Sequence, residues 1–562
     1  MSERMKSRTG GQILVDALKV HGVDLAFCVP GESYLAVLDA LYDARNSIRL
    51  VTCRQEGGAA NMAEAYGKLT GRPGICFVTR GPGATNASIG VHTAFQDSTP
   101  MILFVGQVAR EQAEREAFQE VDYRRMFAPL AKWAAQIDDA ARVPELVSQA
   151  FHRAVAGRPG PVVIALPEDM LTAAAEVADT GPYKTVRPHP GPAELQAMRA
   201  LLAKAHRPFL LLGGGGWDAQ AVRDIAAFAE ANDLPVGTSF RCQDLLDNTH
   251  KNHAGHVGIG PDPALAALVK EADVLLVVGA RLGEMTTGGY TLLDVPVPKQ
   301  TLIHVHAGAE ELGRVYQPAL AINAGMAQFA AAARALAPVD ASRWAARTAQ
   351  AHRDYLATLE HKGHAGAVQM PAVMKLLRER LPADAILTNG AGNYTTWLHR
   401  FYQYRRFRTQ LAPTSGAMGY GLPAAVAAKA VHPDRTVVCF AGDGCFLMNG
   451  QELATAVQYN APVIVIVVNN GMYGTIRMHQ EREYPGHVSG TELHNPDFAA
   501  LARAYGAHGT TVTRPGEFEP ALRKALAAGK PALIEIRVDP DVITPRTTLS
   551  AIRAQALASG KH

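Results

Sequence analysis

The amino-acid sequence predicts an α/β fold of three doubly wound domains, each built on a parallel sheet. Short apolar, β-branched runs alternate along the chain with alanine- and leucine-rich segments of helical length, the pattern of strands joined by crossover helices. Several of these runs are apolar at every position, as expected of strands that are buried on both faces. The 562-residue chain is also too long for one core, because single cores stop growing at about 250–300 residues.

The apolar runs divide into three groups. The first predicted domain covers residues 1–180, with strands expected in LAFCVP, IRLVTC, GICFVT, MILFVG and PVVIALP. The segment TGPYKTVRPHPGPAE has four prolines and two glycines and is predicted to be a linker. A second domain is expected over residues 193–340, with strands in PFLLLGG, DVLLVVGA and TLIHVH. After a strand-poor region at 338–368, a third domain is expected over 369–545, with strands in AILTNG, TVVCFAG, PVIVIVVNN and PALIEIRV.

Composition limits the kinds of partner molecule and the cellular compartment that are expected for this protein. The 55 basic and 52 acidic residues give a formal net charge of +3, which argues against a nucleic-acid partner, since such a partner requires a concentrated basic face. Six scattered cysteines lack metal-ligand spacing and are expected to be reduced thiols. No signal-peptide core or membrane-spanning run is found. A cytoplasmic protein without a membrane segment is therefore expected.

Two predicted buried strands of the third domain end in polar side chains. Asp443 follows TVVCFA and, 27 positions later, Asn470 follows PVIVIVV. Parallel strands joined by one crossover end at the same sheet edge, so the two side chains should emerge together. With phosphate oxygens, a carboxylate and a carboxamide suit Mg²⁺, and a helix that begins near Cys445 would direct its N-terminus at the phosphates. The pair predicts a diphosphate–metal site, the alternative being a tight turn and a loop cap.

This stretch resembles the thiamine-diphosphate signature, in which GDG is followed after a crossover by NN. The resemblance implies that Asp443, the Asn470 side chain and the Met472 carbonyl bind Mg²⁺. It also implies that Met418 props the cofactor into its bent form. The residues implied to contact the cofactor are Pro30, Glu56, Gly390, Gly392, Asn393, Tyr394, Gly416, Met418, Gly442, Asp443, Gly444, Cys445, Asn470 and Met472.

Glu56 lies between an apolar strand and a small-residue helix in LVTCRQEGGAANMAEAYGKLTG, where burial is expected; a surface helix acid is the alternative. With Gly81–Val108 and Ala117–Ala134, this segment resembles the acetolactate synthase large-subunit family, and the similarity covers nearly the whole chain. The resemblance implies that Glu56 drives the proton cycle of the cofactor, and that Gln119 and Lys132 act in the active-site channel. It further implies a homodimer or homotetramer in which Glu56 of one subunit faces Asp443 of another.

The sequence departs from the biosynthetic members of that family at several positions. The family's PGG is PGE here, and its His before the catalytic Glu is Gln55. A Ser is replaced by Arg80 and a Trp by His479, for which a surface helix position is the alternative. The substrate pocket is expected to contain Glu32, Arg80, Phe118, Thr475, Ile476 and His479. So polar a pocket suits a hydroxylated or charged substrate, which favours a non-biosynthetic member.

The glycine-rich loops of the second domain raise the question of a flavin. LLLGGGGWD (Leu210–Asp218), GTSF (Gly237–Phe240) and VVGARLGE (Val277–Glu284) stand where the family binds FAD. The acids that the family places near the ribose and adenine are absent, since His306 and the run Ala324–Met326 stand there. Two alternatives stay open: FAD binds, or the domain is empty or holds another nucleotide.

The leading hypothesis is an acetolactate synthase-like lyase or carboligase. It would use thiamine diphosphate and Mg²⁺ to decarboxylate a 2-oxoacid and to ligate the enamine to an aldehyde or ketone carbonyl. Alternatives on the same scaffold are a 2-oxoacid decarboxylase, a 2-hydroxyacyl-CoA lyase and a sulfoacetaldehyde-type acetyltransferase. No His-His pair occurs near residues 80–110, and this makes the 2-oxoacid decarboxylase a less favoured alternative. A catalytically silent cofactor-binding subunit is the alternative of another class, and the retained Glu56 argues against it.

Overall fold

The structure is a computed structural model that describes residues 7–361 and 363–561. These residues form three six-stranded sheets whose strands all run parallel, and one antiparallel pair of β1 (Arg8–Thr9) with β8 (Ala174–Ala175). The predicted fold class of three doubly wound parallel sheets is confirmed. Among the described residues, no helix has both the length and the apolar character that crossing a bilayer would require.

The first sheet has the strand order β3-β2-β4-β5-β7-β6. Its strands are β2 (Leu25–Cys28), β3 (Arg49–Thr52), β4 (Gly74–Val78), β5 (Met101–Gln107), β6 (Trp133–Gln136) and β7 (Pro161–Pro167). The five predicted strands are all present. Strand β6 was not predicted, because this half-buried edge strand has the sequence WAAQ and lacks an apolar run. The order reverses between β2 and β4, so the loops after these two strands diverge and leave a crevice.

Each of the other two sheets has a similar reversal near its middle. The second has the order β11-β10-β9-β12-β13-β14 and the third the order β16-β15-β17-β18-β20-β19. Their reversals lie between β9 and β12 and between β15 and β17. The strands are β9 (Pro208–Leu212), β10 (Val236–Ser239), β11 (His253–Val257), β12 (Val274–Val278), β13 (Thr301–His306), β14 (Leu320–Asn323), β15 (Ile386–Asn389), β16 (Gln410–Leu411), β17 (Val437–Gly442), β18 (Ile464–Asn469), β19 (His508–Val512) and β20 (Ala532–Arg537).

Helices connect the strands. They are α1 (Gly10–Val20), α2 (Leu35–Asp43), α3 (Glu56–Thr70), α4 (Pro82–Asp97), α5 (Tyr123–Phe127), α6 (Val143–Val155), α7 (Glu168–Thr172), α8 (Pro192–Lys204), α9 (Ala219–Ala231), α10 (Pro263–Lys270), α11 (Met326–Arg334), α12 (Ala345–Thr358), α13 (Met370–Arg380), α14 (Thr395–Phe401), α15 (Gly421–Val431), α16 (Asp443–Leu447), α17 (Glu452–Gln458), α18 (Gly474–Glu483), α19 (Phe498–Ala504), α20 (Phe518–Ala527) and α21 (Leu549–Ala558). Short 3₁₀ helices cover Glu32–Tyr34, Arg110–Gln112, Ala140–Arg142, Gln243–Leu245 and Ala309–Glu311. The crossover after Asp443 holds two short helices, α16 and α17, where one was expected, because turn residues that include Asn449 and Gly450 interrupt it.

The chain divides into two compact units. The first comprises the residues up to Val186 together with Leu422–Pro433 and Leu447–Pro462, and it contains the first sheet. The second comprises Arg187–Gly421, Asp434–Phe446 and the residues from Val463 onward, and it contains the other two sheets. Each sheet has its own apolar core. In the first sheet, the buried rings of Phe77 and Phe104 stack with centroids 5.0 Å apart.

Candidate active site

Glu56 is the first residue of helix α3 and follows strand β3 by a short turn. The Gln55 side chain caps the helix by accepting a hydrogen bond from the Gly58 amide at 3.0 Å. Asn86 Nδ2 donates to Glu56 Oε2 at 2.9 Å, while Oε1 accepts no hydrogen bond from any described residue. Glu56 is half-buried, so the burial expected from the sequence is only partial. One carboxylate oxygen of Glu56 is therefore fixed by a hydrogen bond, and the other has no hydrogen-bond partner among the described residues.

A second acid, Glu452, holds the turn that leads into Glu56. The Glu452 side chain is fully buried, and its Oε1 accepts from the amides of Arg54 and Gln55, both at 3.0 Å. Thr455 Oγ1 donates to Oε2 at 2.6 Å. Burial raises the pKa of Glu452, while the hydrogen bonds from Thr455, Arg54 and Gln55 lower it. Sequence reasoning missed Glu452 because it reads as an ordinary acid within a helix.

Replacing Glu452 by alanine is expected to loosen the turn before Glu56. The amides of Arg54 and Gln55 would lose their acceptor, and an unsatisfied buried donor costs about 1–3 kcal/mol. Hydrogen exchange at these two amides should therefore accelerate, together with a lower thermal midpoint. Glu452→Gln keeps one acceptor oxygen and should show a smaller change. Unchanged exchange at both amides in the alanine variant would contradict this role.

Arg80 lies at the carboxyl end of strand β4 and is 8 % exposed. Its Nε donates to the Phe118 carbonyl at 3.2 Å, and its Nη1 donates to Glu168 Oε2 at 3.3 Å. Its Nη2 pairs with Glu32 Oε1 at 3.2 Å. The structure thus brings together three predicted pocket residues, Glu32, Arg80 and Phe118. Sequence reasoning missed Glu168, which comes from the distant β7–α7 junction.

The segment after Phe118 approaches the loop that follows Arg80. Gln119 has a left-handed backbone (φ +65°) and packs against Gly81 (φ +50°), where a Cβ would lie 2.8 Å from the Gln119 carbonyl oxygen. Gln119 Oε1 is buried without a hydrogen-bond partner among the described residues. The Phe118 side chain is exposed. The Gly81 amide donates to the Tyr123 hydroxyl at 2.7 Å, and burial raises the pKa of Tyr123 to about 12.

Pro30 also lies at this edge, in the exposed turn after strand β2. The carbonyl of Val29 accepts from the Tyr34 hydroxyl at 2.6 Å. A Cβ on Gly31 would lie 2.4 Å from Cβ of Thr79. The loops after β2 and β4 are therefore in contact at this position, next to the crevice between them.

Lys132 is not brought to this edge. It immediately precedes strand β6, and its Nζ donates to the carbonyls of Arg153 (2.7 Å) and Ala156 (2.6 Å) at the end of helix α6. Because the strands are parallel, the start of β6 lies at the amino edge of the sheet, whereas Glu56 and Arg80 follow carboxyl ends. Within one chain, Lys132 therefore does not join Gln119, and its role in the active-site channel stays a prediction.

Asp443 ends strand β17 in the third sheet and is almost fully buried. Its Oδ1 accepts from the Gly444 amide at 2.9 Å. Its Oδ2 accepts from the Gly471 amide at 2.9 Å and from Asn495 Nδ2 at 2.7 Å. Burial raises the pKa of the Asp443 carboxyl, and these hydrogen bonds lower it less than burial raises it. A nearby cation favours the charged form of a buried carboxylate, so a bound metal ion would stabilise the Asp443 carboxylate.

The turn after strand β18 supplies the other predicted oxygen ligands. The Asn470 side chain makes no hydrogen bond with any described residue. The Met472 carbonyl accepts from the Gly474 amide at 2.9 Å, and Met472 pairs with Glu492 in an antiparallel bridge. Asn495, which sequence reasoning missed, joins Asp443 to Asn469 Oδ1 at 3.0 Å. Among the described residues, no donor or acceptor therefore competes for the Asn470 side chain.

Cys445 ties together the three loops at the β15–β17 crevice. Its Sγ accepts from the Tyr394 hydroxyl at 3.1 Å and from the Gly419 amide at 3.3 Å. The Gly390 amide donates to the same hydroxyl at 3.1 Å. Glycines are required at 390 and 442, because a Cβ there would lie 2.5 Å from the Cys445 sulfur and 2.7 Å from the Tyr394 ring, respectively. In the loop before helix α15, Gly416 (φ +71°) faces open space and Met418 is half-buried. Gly392, in the loop after β15, also has a left-handed backbone.

The predicted pocket residues of helix α18 have different surroundings. Thr475 accepts from the Asn393 amide and donates to the Asn393 side-chain oxygen, both at 3.0 Å, which joins the helix to the Gly390 loop. Ile476 and His479 are exposed. His479 Nδ1 lies 3.3 Å from Arg482 Nη1 on the same helix. Within one chain, His479 is a surface helix residue.

Comparisons with known proteins match a segment of the chain in each of its three sheets. Residues 8–126 match the thiamine pyrophosphate enzyme N-terminal TPP binding domain, residues 195–336 the central domain, and residues 390–536 the C-terminal TPP binding domain. The chain is 33 % identical to the acetolactate synthase isozyme 2 large subunit of Escherichia coli K12, covering 94 % of this chain and 95 % of that protein. It is 33 % identical to the acetolactate synthase large subunit of Corynebacterium glutamicum (96 % and 88 % covered). The probable acetolactate synthase large subunit of Methanocaldococcus jannaschii is 31 % identical (95 % and 93 %). The chain therefore belongs to the thiamine pyrophosphate enzymes and, within them, to the acetolactate synthase large-subunit family.

Proposed function

We propose that this chain is a carboligase that uses thiamine diphosphate and Mg²⁺ to decarboxylate a 2-oxoacid and to join the remaining acyl unit to a second carbonyl compound. The observation that carries the proposal is that both Glu56 and Asp443 are present and fixed by hydrogen bonds. Glu56 lies at the edge of the first sheet, and Asp443 lies where the strand order of the third sheet reverses. When bound, thiamine diphosphate supplies the electron sink for decarboxylation. The names of the relatives do not favour the decarboxylase, acyl-CoA lyase or silent-subunit alternatives.

The donor set after strands β17 and β18 fits Mg²⁺. It combines a buried carboxylate (Asp443), a carboxamide that makes no hydrogen bond with any described residue (Asn470) and a main-chain carbonyl (Met472). Mg²⁺ takes oxygen ligands and is bound by one or two protein groups together with substrate or cofactor phosphates. These three residues are proposed to hold the ion, and the Gly390, Gly416 and Gly442 loops to hold the diphosphate.

Glu56 is proposed to hold and return a proton at Oε1. Its Oε2 is engaged by Asn86, which keeps the carboxyl in one orientation. A Cβ on Gly83 would lie 3.5 Å from Oε1, so the glycine leaves room beside this oxygen. An acid–base group must be within hydrogen-bond reach of the atom it protonates. Gln119 and Phe118 are proposed to line the approach to this site.

Two of the glycine-rich loops of the second sheet pack closely on each other at Gly214 and Gly279. A Cβ on Gly214 would lie 2.0 Å from the Gly279 carbonyl oxygen, and a Cβ on Gly279 would lie 2.8 Å from Met326 Sδ. Trp217 Nε1 donates to the Gly213 carbonyl at 2.9 Å. These glycines are explained by the packing of the two loops on each other. FAD is not part of the proposal.

A homodimer or homotetramer with its active sites at subunit interfaces is also proposed, as is a cytoplasmic location. The assembly is supported by the family resemblance, which has Glu56 and Asp443 meeting from different subunits. The location is supported by the scattered cysteines, of which Cys28, Cys53, Cys76, Cys439 and Cys445 are buried thiols. Disulfides are rare in reducing compartments. Sedimentation of the purified protein measures the assembly directly.

The proposal is tested with the purified full chain, thiamine diphosphate and Mg²⁺. Pyruvate, glyoxylate and hydroxypyruvate are supplied singly and in pairs, while CO₂ and ligation products are followed. We expect CO₂ release coupled to a ligated product. CO₂ with only the free aldehyde would identify a decarboxylase, and no CO₂ from any 2-oxoacid would contradict the proposal. Rapid acetolactate formation from pyruvate alone would contradict the non-biosynthetic interpretation of the departures at Glu32, Arg80 and His479.

A further inference from the structure

Three charged side chains form one cluster at the carboxyl edge of the first sheet. Glu32 follows strand β2, Arg80 follows β4 and Glu168 follows β7; we call them the Glu–Arg–Glu cluster. Nη2 of Arg80 lies 3.2 Å from Glu32, and Nη1 lies 3.3 Å from Glu168. The cluster therefore has two carboxylates for one guanidinium, a formal charge of −1.

Each nitrogen of the Arg80 guanidinium is already in contact with a protein oxygen. Its Nε is engaged by the Phe118 carbonyl and its other two nitrogens by the acids. The guanidinium is largely buried, with a side-chain exposure of 10 %, whereas the side chains of Glu32 and Glu168 are 57 % and 37 % exposed. Arginine is always charged, so its burial depends on these partners. The side of the cluster that meets solvent is therefore acidic.

The cluster lies next to the proposed reaction site. Arg80 directly follows Thr79, whose side chain packs against the loop that contains Gly31 and Glu32. A Cβ on Gly83 would lie 3.0 Å from Thr79 Cγ2 and 3.5 Å from Glu56 Oε1. A short run of contacts thus links the cluster to the Glu56 carboxyl, beside the crevice between β2 and β4. A substrate in that crevice experiences the field of the two acids.

We propose that the Glu–Arg–Glu cluster determines substrate specificity: it admits 2-oxoacids with an uncharged alkyl or hydroxylated side chain and excludes those with a second carboxylate. This inference rests on the proposed function. The excluding element is like-charge repulsion, which costs more than a missing contact in a partly desolvated site. Glu32 and Glu168 provide the repulsion, and Arg80 keeps both acids in place.

The test compares two five-carbon acids as competitive inhibitors of the turnover that the wild type shows with its best 2-oxoacid. 2-Oxoglutarate has a terminal carboxylate where 2-oxovalerate has a methyl group, so their inhibition constants differ mainly through charge. The wild type should bind 2-oxovalerate more tightly. Glu32→Gln and Glu168→Gln should each shift the ratio of the two constants toward 2-oxoglutarate by about tenfold, and the double variant by more. Added salt should reduce the preference of the wild type.

Glu145→Gln is the matched control. Glu145, on helix α6, is exposed and pairs at 2.7 Å with Arg142, which directly precedes that helix. The change therefore also removes one acid from an arginine pair, and the ratio of the two inhibition constants should not move. The inference is overturned if the wild type binds both acids equally, if the double variant keeps the wild-type ratio, or if neither acid inhibits the double variant. Absence of turnover with every 2-oxoacid would instead contradict the proposed function, and this inference with it.

Discussion

Replacing Glu56 by glutamine is expected to lower turnover by about 10²- to 10⁴-fold, the range of a lost general acid–base group. Glutamine has the same shape and its oxygen can still accept from Asn86 Nδ2, so the start of helix α3 should keep its structure. The amide cannot hold or return a proton at the position of Oε1. The thermal midpoint should therefore change little while the chemistry is lost.

Two measurements separate this role from a structural one. Exchange of the C2 proton of bound thiamine diphosphate, followed by NMR, should be fast in the wild type and slow in Glu56→Gln. Cofactor affinity should stay within a few-fold in both proteins. Glu194→Gln is the matched control, because Glu194 is an exposed acid in the first turn of helix α8 and has the same favourable interaction with a helix N-terminus.

The catalytic interpretation of Glu56 would be contradicted if Glu56→Gln kept turnover within threefold of the wild type. Loss of turnover with unchanged C2 exchange would likewise contradict it, because the acid would then act in another step. Loss of cofactor binding in this variant would assign Glu56 a binding role instead.

The sequence predicted the strands and the polar residues at their ends because this information is local. A run such as TVVCFA contains its own periodicity, and the rule that parallel strands end at one edge then brings Asp443 and Asn470 together. The strand that was missed, β6, has no apolar run and is held at the sheet edge by pairing with β7. Its existence depends on that neighbour rather than on its own four residues.

Glu452 and Asn495 show why the rest of the site could not be predicted. Glu452 accepts from the Arg54 amide across 398 positions of sequence, and Asn495 donates to Asp443 across 52 positions. Neither residue stands in a local pattern that differs from an ordinary helix acid or a loop asparagine. Lys132 is the opposite case, a residue that was predicted for the site but lies elsewhere within one chain. A resemblance in sequence does not say at which edge of the sheet a residue lies.

Asn470→Ala is expected to weaken Mg²⁺ binding strongly without destabilising the protein. Loss of a residue that only supports a metal ligand costs about 10- to 100-fold in affinity, and loss of a ligand should reach the upper part of that range. Because the Asn470 side chain has no hydrogen bond to any other described residue, its removal leaves no internal donor or acceptor unsatisfied. The cofactor-free variant should unfold at the wild-type temperature.

Asp443→Asn is expected to lose both Mg²⁺ affinity and stability. The carboxylate accepts from Gly444, Gly471 and Asn495, and an asparagine offers one acceptor oxygen while turning its own donors toward that set. Each buried donor left without an acceptor costs about 1–3 kcal/mol. The Mg²⁺ concentration required for half-maximal cofactor binding should rise by about 100-fold or more, and the thermal midpoint should fall even without cofactor.

The contrast between the two variants is the decisive result, because a purely structural pair of loop residues would not produce it. Calorimetric titration of thiamine diphosphate at stepped Mg²⁺ concentrations measures the first effect, and thermal unfolding of the cofactor-free protein the second. Asn46→Ala, at an exposed position between α2 and β3, controls for the loss of an asparagine. A wild-type Mg²⁺ requirement in Asn470→Ala would remove Asn470 from the ligand set. Asp443 would then hold the ion with main-chain and phosphate oxygens, a coordination that Mg²⁺ accepts.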